Sequence, residues 1–237
     1  MHSRRRRCSW LLGLLCLIAA CGPGGSPSVA DSPLTESTSG ETEPAPADGG
    51  PVIVALGDSL TAGLGLEIED AYPTLLERQL RAEGFRVTVV NAGVSGDTTA
   101  AGLRRAEWSL VGDVRVLILA LGGNDGLRGL PVDQMKRNLA EIVSLAQERG
   151  IKVLLAGMEA PPNFGARYTS EFRAVFQELA EEYELGFMPF LLNGVAGDPR
   201  LNQDDGIHPN IDGAAIVATR VREALEPLLS ELGESAP

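Results

Sequence analysis

The feature that most constrains this chain is an alternation that begins at Pro51. Five short aliphatic runs, at 52–56, 86–91, 114–121, 151–157 and 186–190, are separated by longer segments with helical spacing. Each run is rich in Val, Ile or Leu without strict polar alternation, as expected of strands buried on both faces. The candidate helices are 71–83, 98–110, 131–149, 169–183 and a closing helix at 210–232. In the third, Leu139, Ile142, Val143 and Ala146 fall three, four and seven apart and form one apolar stripe. Gly84 and Gly150 follow two of these helices just before the next strand, where a helix stop is needed. Strands alternating with helices predict a parallel sheet covered on both faces. At 237 residues and 44% hydrophobic, the chain has ample material for such a core. In open sheets of this kind the working residues gather beyond the carboxyl ends of the strands. Those ends are 57–60, 91–97, 122–125 and 158–161, and the first three turn abruptly from aliphatic to small and polar.

The first fifty residues follow different rules. Arg4 to Arg7 form a basic head, and 9–20 are uncharged and mostly apolar. Twelve residues rise only about 18 Å as a helix, short of the roughly 30 Å hydrocarbon core. Residues 1–20 therefore read as an export signal rather than a membrane span. Ile18-Ala19-Ala20-Cys21 resembles the bacterial lipoprotein processing site, which implies that Cys21 becomes a lipid-carrying N-terminus. Gly22, not Asp, follows it. Residues 22–50 hold six Gly, five Pro, five Ser, five acids and no Lys or Arg, with Val29 and Leu34 as the large apolar residues. Nothing there offsets the entropy of ordering, so 21–50 is expected to be a tether with a reach of roughly 30 Å. Removing four arginines with the signal would take the net charge from −12 to −16. Such a body is repelled by anionic headgroups, and a membrane partner would be reached through Cys21 alone. The expected location is outside the cytoplasm, lipid-anchored to a bacterial membrane.

Composition narrows the chemistry of residues 51–237. The acidic surplus argues against a nucleic-acid partner, since phosphates need compensating cations. All three cysteines lie within the first 21 residues, and the histidines are His2 and His208. The folded part thus has no thiolate nucleophile, and a multi-histidine or cysteine metal site is excluded. If an imidazole serves as base, it is His208. Asp205, three residues earlier on a loop leading into a helix, can accept the Nδ1 proton and fix the tautomer. A surface helix-cap cluster with an incidental histidine is the alternative. Ser59 and Ser95 stand at strand ends as candidate nucleophiles. Gly57, two before Ser59, permits a tight strand-to-helix turn, although Thr61 breaks the Gly-x-Ser-x-Gly elbow. Gly96, through its amide, and Asn124, through its carboxamide, can supply donors for an oxyanion. Taken singly, each also fits a turn residue.

Together, Gly57-Asp58-Ser59-Leu60, Gly96, Gly122-Gly123-Asn124-Asp125 and Asp205-Gly206-Ile207-His208-Pro209 resemble, in order, the four blocks of the SGNH (GDSL) hydrolases. Ser95-Gly96-Asp97-Thr98 and the stretch from Leu121 to Gly129 look like those of the bacterial thioesterase/protease/lysophospholipase and arylesterase group. The resemblance runs from Val52 to about Ala215. It implies a flavodoxin-like three-layer α/β/α fold with about five parallel strands. It further implies Ser59 as nucleophile, His208 as base, Asp205 as its orienting acid, and an oxyanion hole from Ser59, Gly96 and Asn124. No metal or organic cofactor is implied, and a monomer is expected.

Leu60, Leu64, Leu66, Leu127, Leu130, Pro161, Pro162 and Phe164 occupy loops flanking the expected site. Of these, Leu60, Leu127 and Pro161 are the leading candidates to bind an acyl chain. The expected activity is hydrolysis of acyl esters or thioesters, including lysophospholipids. A carbohydrate O-acetyl esterase with the same residues, and a non-catalytic lipid-anchored binding protein, are the competing readings.

Overall fold

The computed structural model describes residues 50–233. The expected signal, Cys21 and the tether up to Gly49 lie outside the described residues. Five strands, β1 (Val52–Gly57), β2 (Thr88–Gly93), β3 (Val114–Ala120), β4 (Lys152–Ala156) and β5 (Gly186–Met188), form one parallel sheet in the order β2-β1-β3-β4-β5. They alternate with α2 (Tyr72–Ala82), α3 (Thr99–Ser109), α5 (Val132–Glu148) and α6 (Ala166–Glu182), and α7 (Ile211–Gly233) closes the fold. Helices α2 and α7 pack together, and α5 packs against both α3 and α6. The result is the three-layer α/β/α arrangement.

The aliphatic runs are strands for the reason their composition suggested. All six residues of β1 are buried, as is every residue of β3 except Arg115. Helix α5 turns its stripe of Leu139, Ile142, Val143 and Ala146, extended by Met135, fully inward. Gly84 and Gly150 both adopt positive φ after their helices, as the sequence predicts.

Two differences bear on the site. The expected run at 186–190 ends as a strand at Met188, because Pro189 has no N–H for a ladder bond. Two very short helices were not anticipated: α1 (Ser59–Ala62) directly after β1, and α4 (Gly123–Leu127) after β3. Leu60 and Leu127, expected on loops, therefore lie in helical turns. Both turns stand at the carboxyl edge of the sheet. In register, Gly57 pairs with Gly93 of β2 and with Ala120 of β3, so three strand ends are level. β1 lies between β2 and β3, the point where the chain reverses its direction of sheet growth.

Candidate active site

Ser59 begins α1. Asp58 caps this helix, its Oδ1 accepting the Leu60 amide at 3.0 Å. The turn is tight enough that a Cβ at Gly57 would sit 1.9 Å from Thr61 Oγ1. A Cβ at Gly93 would likewise meet the Ala62 amide nitrogen at 2.2 Å. The glycines at these two positions let α1 lie directly over the ends of β1 and β2, which lifts the Ser59 hydroxyl out of the sheet.

His208 arrives from a loop fixed on several sides. Gln203 N–H donates to the His208 carbonyl at 2.8 Å, and Asn210 N–H to Leu201 at 3.0 Å. The Gln203 carboxamide donates to Leu64 at 2.7 Å and to Pro209 at 2.9 Å, joining this loop to the segment after α1. Asn210 caps α7 through a 3.0 Å bond from Gly213. The imidazole is thereby delivered to Ser59: His208 Nε2 lies 2.9 Å from Ser59 Oγ, across 149 positions of sequence. On the other side of the ring, Nδ1 lies 2.6 Å from Asp205 Oδ2.

Asp205 Oδ1 meanwhile accepts the Ile207 and His208 amides at 2.9 and 3.0 Å. The His208 amide, then the His208 ring and the Ile207 amide, hold the Asp205 carboxyl down at about 2. An ionised carboxylate can only accept, so Nδ1 carries the ring proton and Nε2 is left to accept from Ser59 Oγ–H. The incidental-histidine alternative does not describe this ring. Nor does His208 pair with Ser95, which lies in an exposed turn after β2.

Asn124, in α4, donates from Nδ2 to Asp58 Oδ2 at 3.2 Å. Its helix is tied to α3 through buried Asp125, whose carboxylate takes the Thr99 amide at 2.8 Å and the Thr99 hydroxyl at 2.7 Å. Gly96 adopts φ +86°, a conformation that suits glycine, and its carbonyl accepts Arg128 Nη2 at 3.0 Å. Among the described residues, neither the Ser59 nor the Gly96 amide donates to a protein acceptor.

A cavity of about 450 Å³ opens beside Ser59, His208 and Asn124. Leu60, Leu127, Pro161 and Pro162 line it as expected, joined by Met158, Phe190, Leu192 and Ile207. The other anticipated residues are not in that lining. Leu64 and Leu66 face a separate smaller void with Tyr72, and Phe164 packs on Tyr168 with ring centroids 5.4 Å apart. Gly96, in the turn after β2, is not among the residues that line the cavity. Among the described residues no group of three His, Cys, Asp or Glu side chains is arranged to hold a metal ion.

Two residues at the site escaped the sequence reading. Asp58 is 2% exposed, and burial pushes its carboxyl up to about 6. Arg105 of α3 staples three segments at the strand ends, donating to Asp97 at 2.7 Å and to the Ala92 and Gly57 carbonyls at 2.8 Å each.

Fold and site together define a serine hydrolase carried on a parallel α/β/α sheet. The sequence profile of the GDSL-like Lipase/Acylhydrolase family matches residues 55–216. The chain is 40% identical over 178 residues to Esterase TesA of Pseudomonas aeruginosa, an alignment covering 75% of this chain and 89% of that protein. It is 36% identical over 179 residues to Thioesterase 1/protease 1/lysophospholipase L1 of Escherichia coli, covering 75% and 85%. The crystal structure of the psychrotrophic esterase EstA from a Pseudoalteromonas species superimposes with a TM-score of 0.72 at 32% identity, covering 76% of this chain and 98% of that one. The chain belongs to the GDSL-like lipase/acylhydrolase family and is a carboxylic ester hydrolase.

Proposed function

We propose that the chain cleaves esters and thioesters of apolar acyl groups through an acyl-Ser59 intermediate. The observation that carries this reading is the relay from Ser59 Oγ through His208 to Asp205, at 2.9 and 2.6 Å, in the wall of an apolar cavity. His208 Nε2 takes the Ser59 proton as Oγ attacks the acyl carbonyl, and Asp205 stabilises the imidazolium that forms. The developing oxyanion is held by the Ser59 and Gly96 amides and by Asn124 Nδ2. His208 then protonates the departing alcohol or thiol, and water releases the acid by the same route. Every group in these steps comes from one chain, which supports a monomer as the working unit.

Cavity size and lining favour an acyl chain over an acetyl group. Relatives whose names include thioesterase and lysophospholipase support thioesters and lysophospholipids as substrates. The basic head, the apolar stretch and the small residues before Cys21 support export and lipid anchoring of the mature chain.

A chain-length series of p-nitrophenyl esters tests the substrate class. Each added methylene buried in the cavity contributes about 0.8 kcal/mol, so kcat/KM should climb up to about fourfold per CH₂ until the cavity is filled. Rates on acetyl equal to those on hexanoyl would favour the sugar O-acetyl esterase reading. Stoichiometric labelling of Ser59 by a fluorophosphonate is expected, with none in Ser59→Ala. A protein that takes no label would be a binder rather than an enzyme.

A further inference from the structure

Asn124 is useful to an oxyanion only if its carboxamide faces the right way. The two ends of that group are nearly the same size, so packing alone cannot decide between N–H₂ and C=O at a given position. Here each end has a different partner. Asp58 Oδ2, which can only accept when ionised, lies 3.2 Å from Nδ2. Arg128 Nη2, which can only donate, lies 3.4 Å from Oδ1. Turning the carboxamide over would set oxygen against oxygen and nitrogen against nitrogen.

Asp58 has little room to do anything else. Its side chain is buried, its Oδ1 is committed to the α1 cap, and a Cβ at Gly123 would approach Oδ2 to 3.0 Å. The proposed chemistry uses no carboxylate at this position, and a negative charge beside an oxyanion opposes it. The burial of an acid here calls for a different explanation.

We propose that Asp58 is a positioning residue that fixes the orientation of the Asn124 carboxamide, holding one Nδ2 hydrogen so that the other faces the acyl oxygen. The inference rests on the serine-hydrolase reading and assigns Asp58 an effect on kcat that passes through Asn124.

The experiment is a double-mutant cycle on a soluble p-nitrophenyl ester, with Asp58→Asn, Asn124→Ala and the pair. In Asp58→Asn the cap can be kept by the new Oδ1, which leaves an N–H₂ facing the N–H₂ of Asn124. Turnover should fall on the order of 10²-fold, the scale of losing one oxyanion donor, with KM within about threefold of wild type. In the Asn124→Ala background the same change should cost less than about threefold, because there is no carboxamide left to orient.

A full 10²-fold loss in that background would overturn the proposal, since Asp58 would then act through the α1 cap or Ser59 itself. Wild-type turnover in Asp58→Asn would overturn it equally. If Asp58→Asn does not fold, Asp58→Ser retains a capping hydroxyl while withdrawing the acceptor from Asn124, and the same cycle applies. An inert wild-type protein that also resists fluorophosphonate would instead defeat the hydrolase reading, which keeps the two failures apart.

Discussion

Asp58 lies next to Ser59 and is almost sealed from water, so its titration should be visible in stability. Its carboxyl titrates at about 6 in the folded protein against an ordinary 3.8. The folded state therefore binds this proton more tightly than the unfolded chain. The associated stability is complete below about pH 4, falls as pH rises toward 6, and is gone above it, a swing of about 3 kcal/mol. Urea melts of wild type and Asp58→Asn should show the variant gaining on wild type by that order between pH 4 and pH 7. A constant difference across that range would mean that Asp58 is not shifted. For Asn124→Ala, turnover should drop on the order of 10²–10³-fold in a protein that still folds, with stability lower by about 1–3 kcal/mol because buried Asp58 Oδ2 loses its donor. His208 and Asp205 are legible as a pair because the sequence offers one imidazole in the folded part, with a carboxylate three residues away, whereas Ser59 is separated from Ser95 only by the resemblance to the hydrolase blocks. Asp58 is not legible because an acid before a helical serine looks like any cap, and its bond from Asn124 spans 66 positions.

Among the elements, the short helices α1 and α4 carry two of the candidate site residues, Ser59 and Asn124. Four or five residues give no hydrophobic period to recognise, and isolated helices of this length are unstable. They exist because neighbouring helices supply partners: Thr61 of α1 bonds to buried Tyr72 of α2 at 3.1 Å, and Asp125 of α4 takes the Thr99 amide and hydroxyl of α3. Arg105 was equally unreadable, since an arginine inside a helical run is ordinarily solvated. Arg105→Met would remove the guanidinium from the Asp97 carboxylate and the Ala92 carbonyl, and leave the Gly57 carbonyl with the Val94 amide at 3.1 Å. It should cost about 3 kcal/mol in urea and lower turnover by loosening the turn that carries Gly96. Ile118→Ala, fully buried in β3, should cost about 2–5 kcal/mol with KM unchanged, which separates core packing from site assembly. A change of KM in that variant would show that β3 packing reaches the cavity.

For the molecule as a whole, every group assigned to the reaction lies between Asp58 and His208. A chain beginning at Pro51 should keep kcat/KM on soluble esters within about twofold of the full-length protein. On the proposed lipid anchoring, Cys21→Ser should shift the protein from the membrane to the soluble fraction without changing that value. A large loss on truncation would give residues 1–50 a part in the chemistry that the sequence does not suggest. The sequence by itself determined the layered parallel architecture and singled out Ser59, His208 and Asp205 as candidates for nucleophile, base and acid. Buried strands demand aliphatic runs, and only a few residue types can do this chemistry. Which apolar residues line the cavity beside Ser59 was decided by tertiary structure, as Leu64, Leu66 and Phe164 turned elsewhere while Met158 and Phe190 came in. The same holds for the buried acid beside Asn124 and for the arginine joining the strand ends. Those choices depend on which distant segments share a neighbourhood, and a local pattern of side chains holds no record of that.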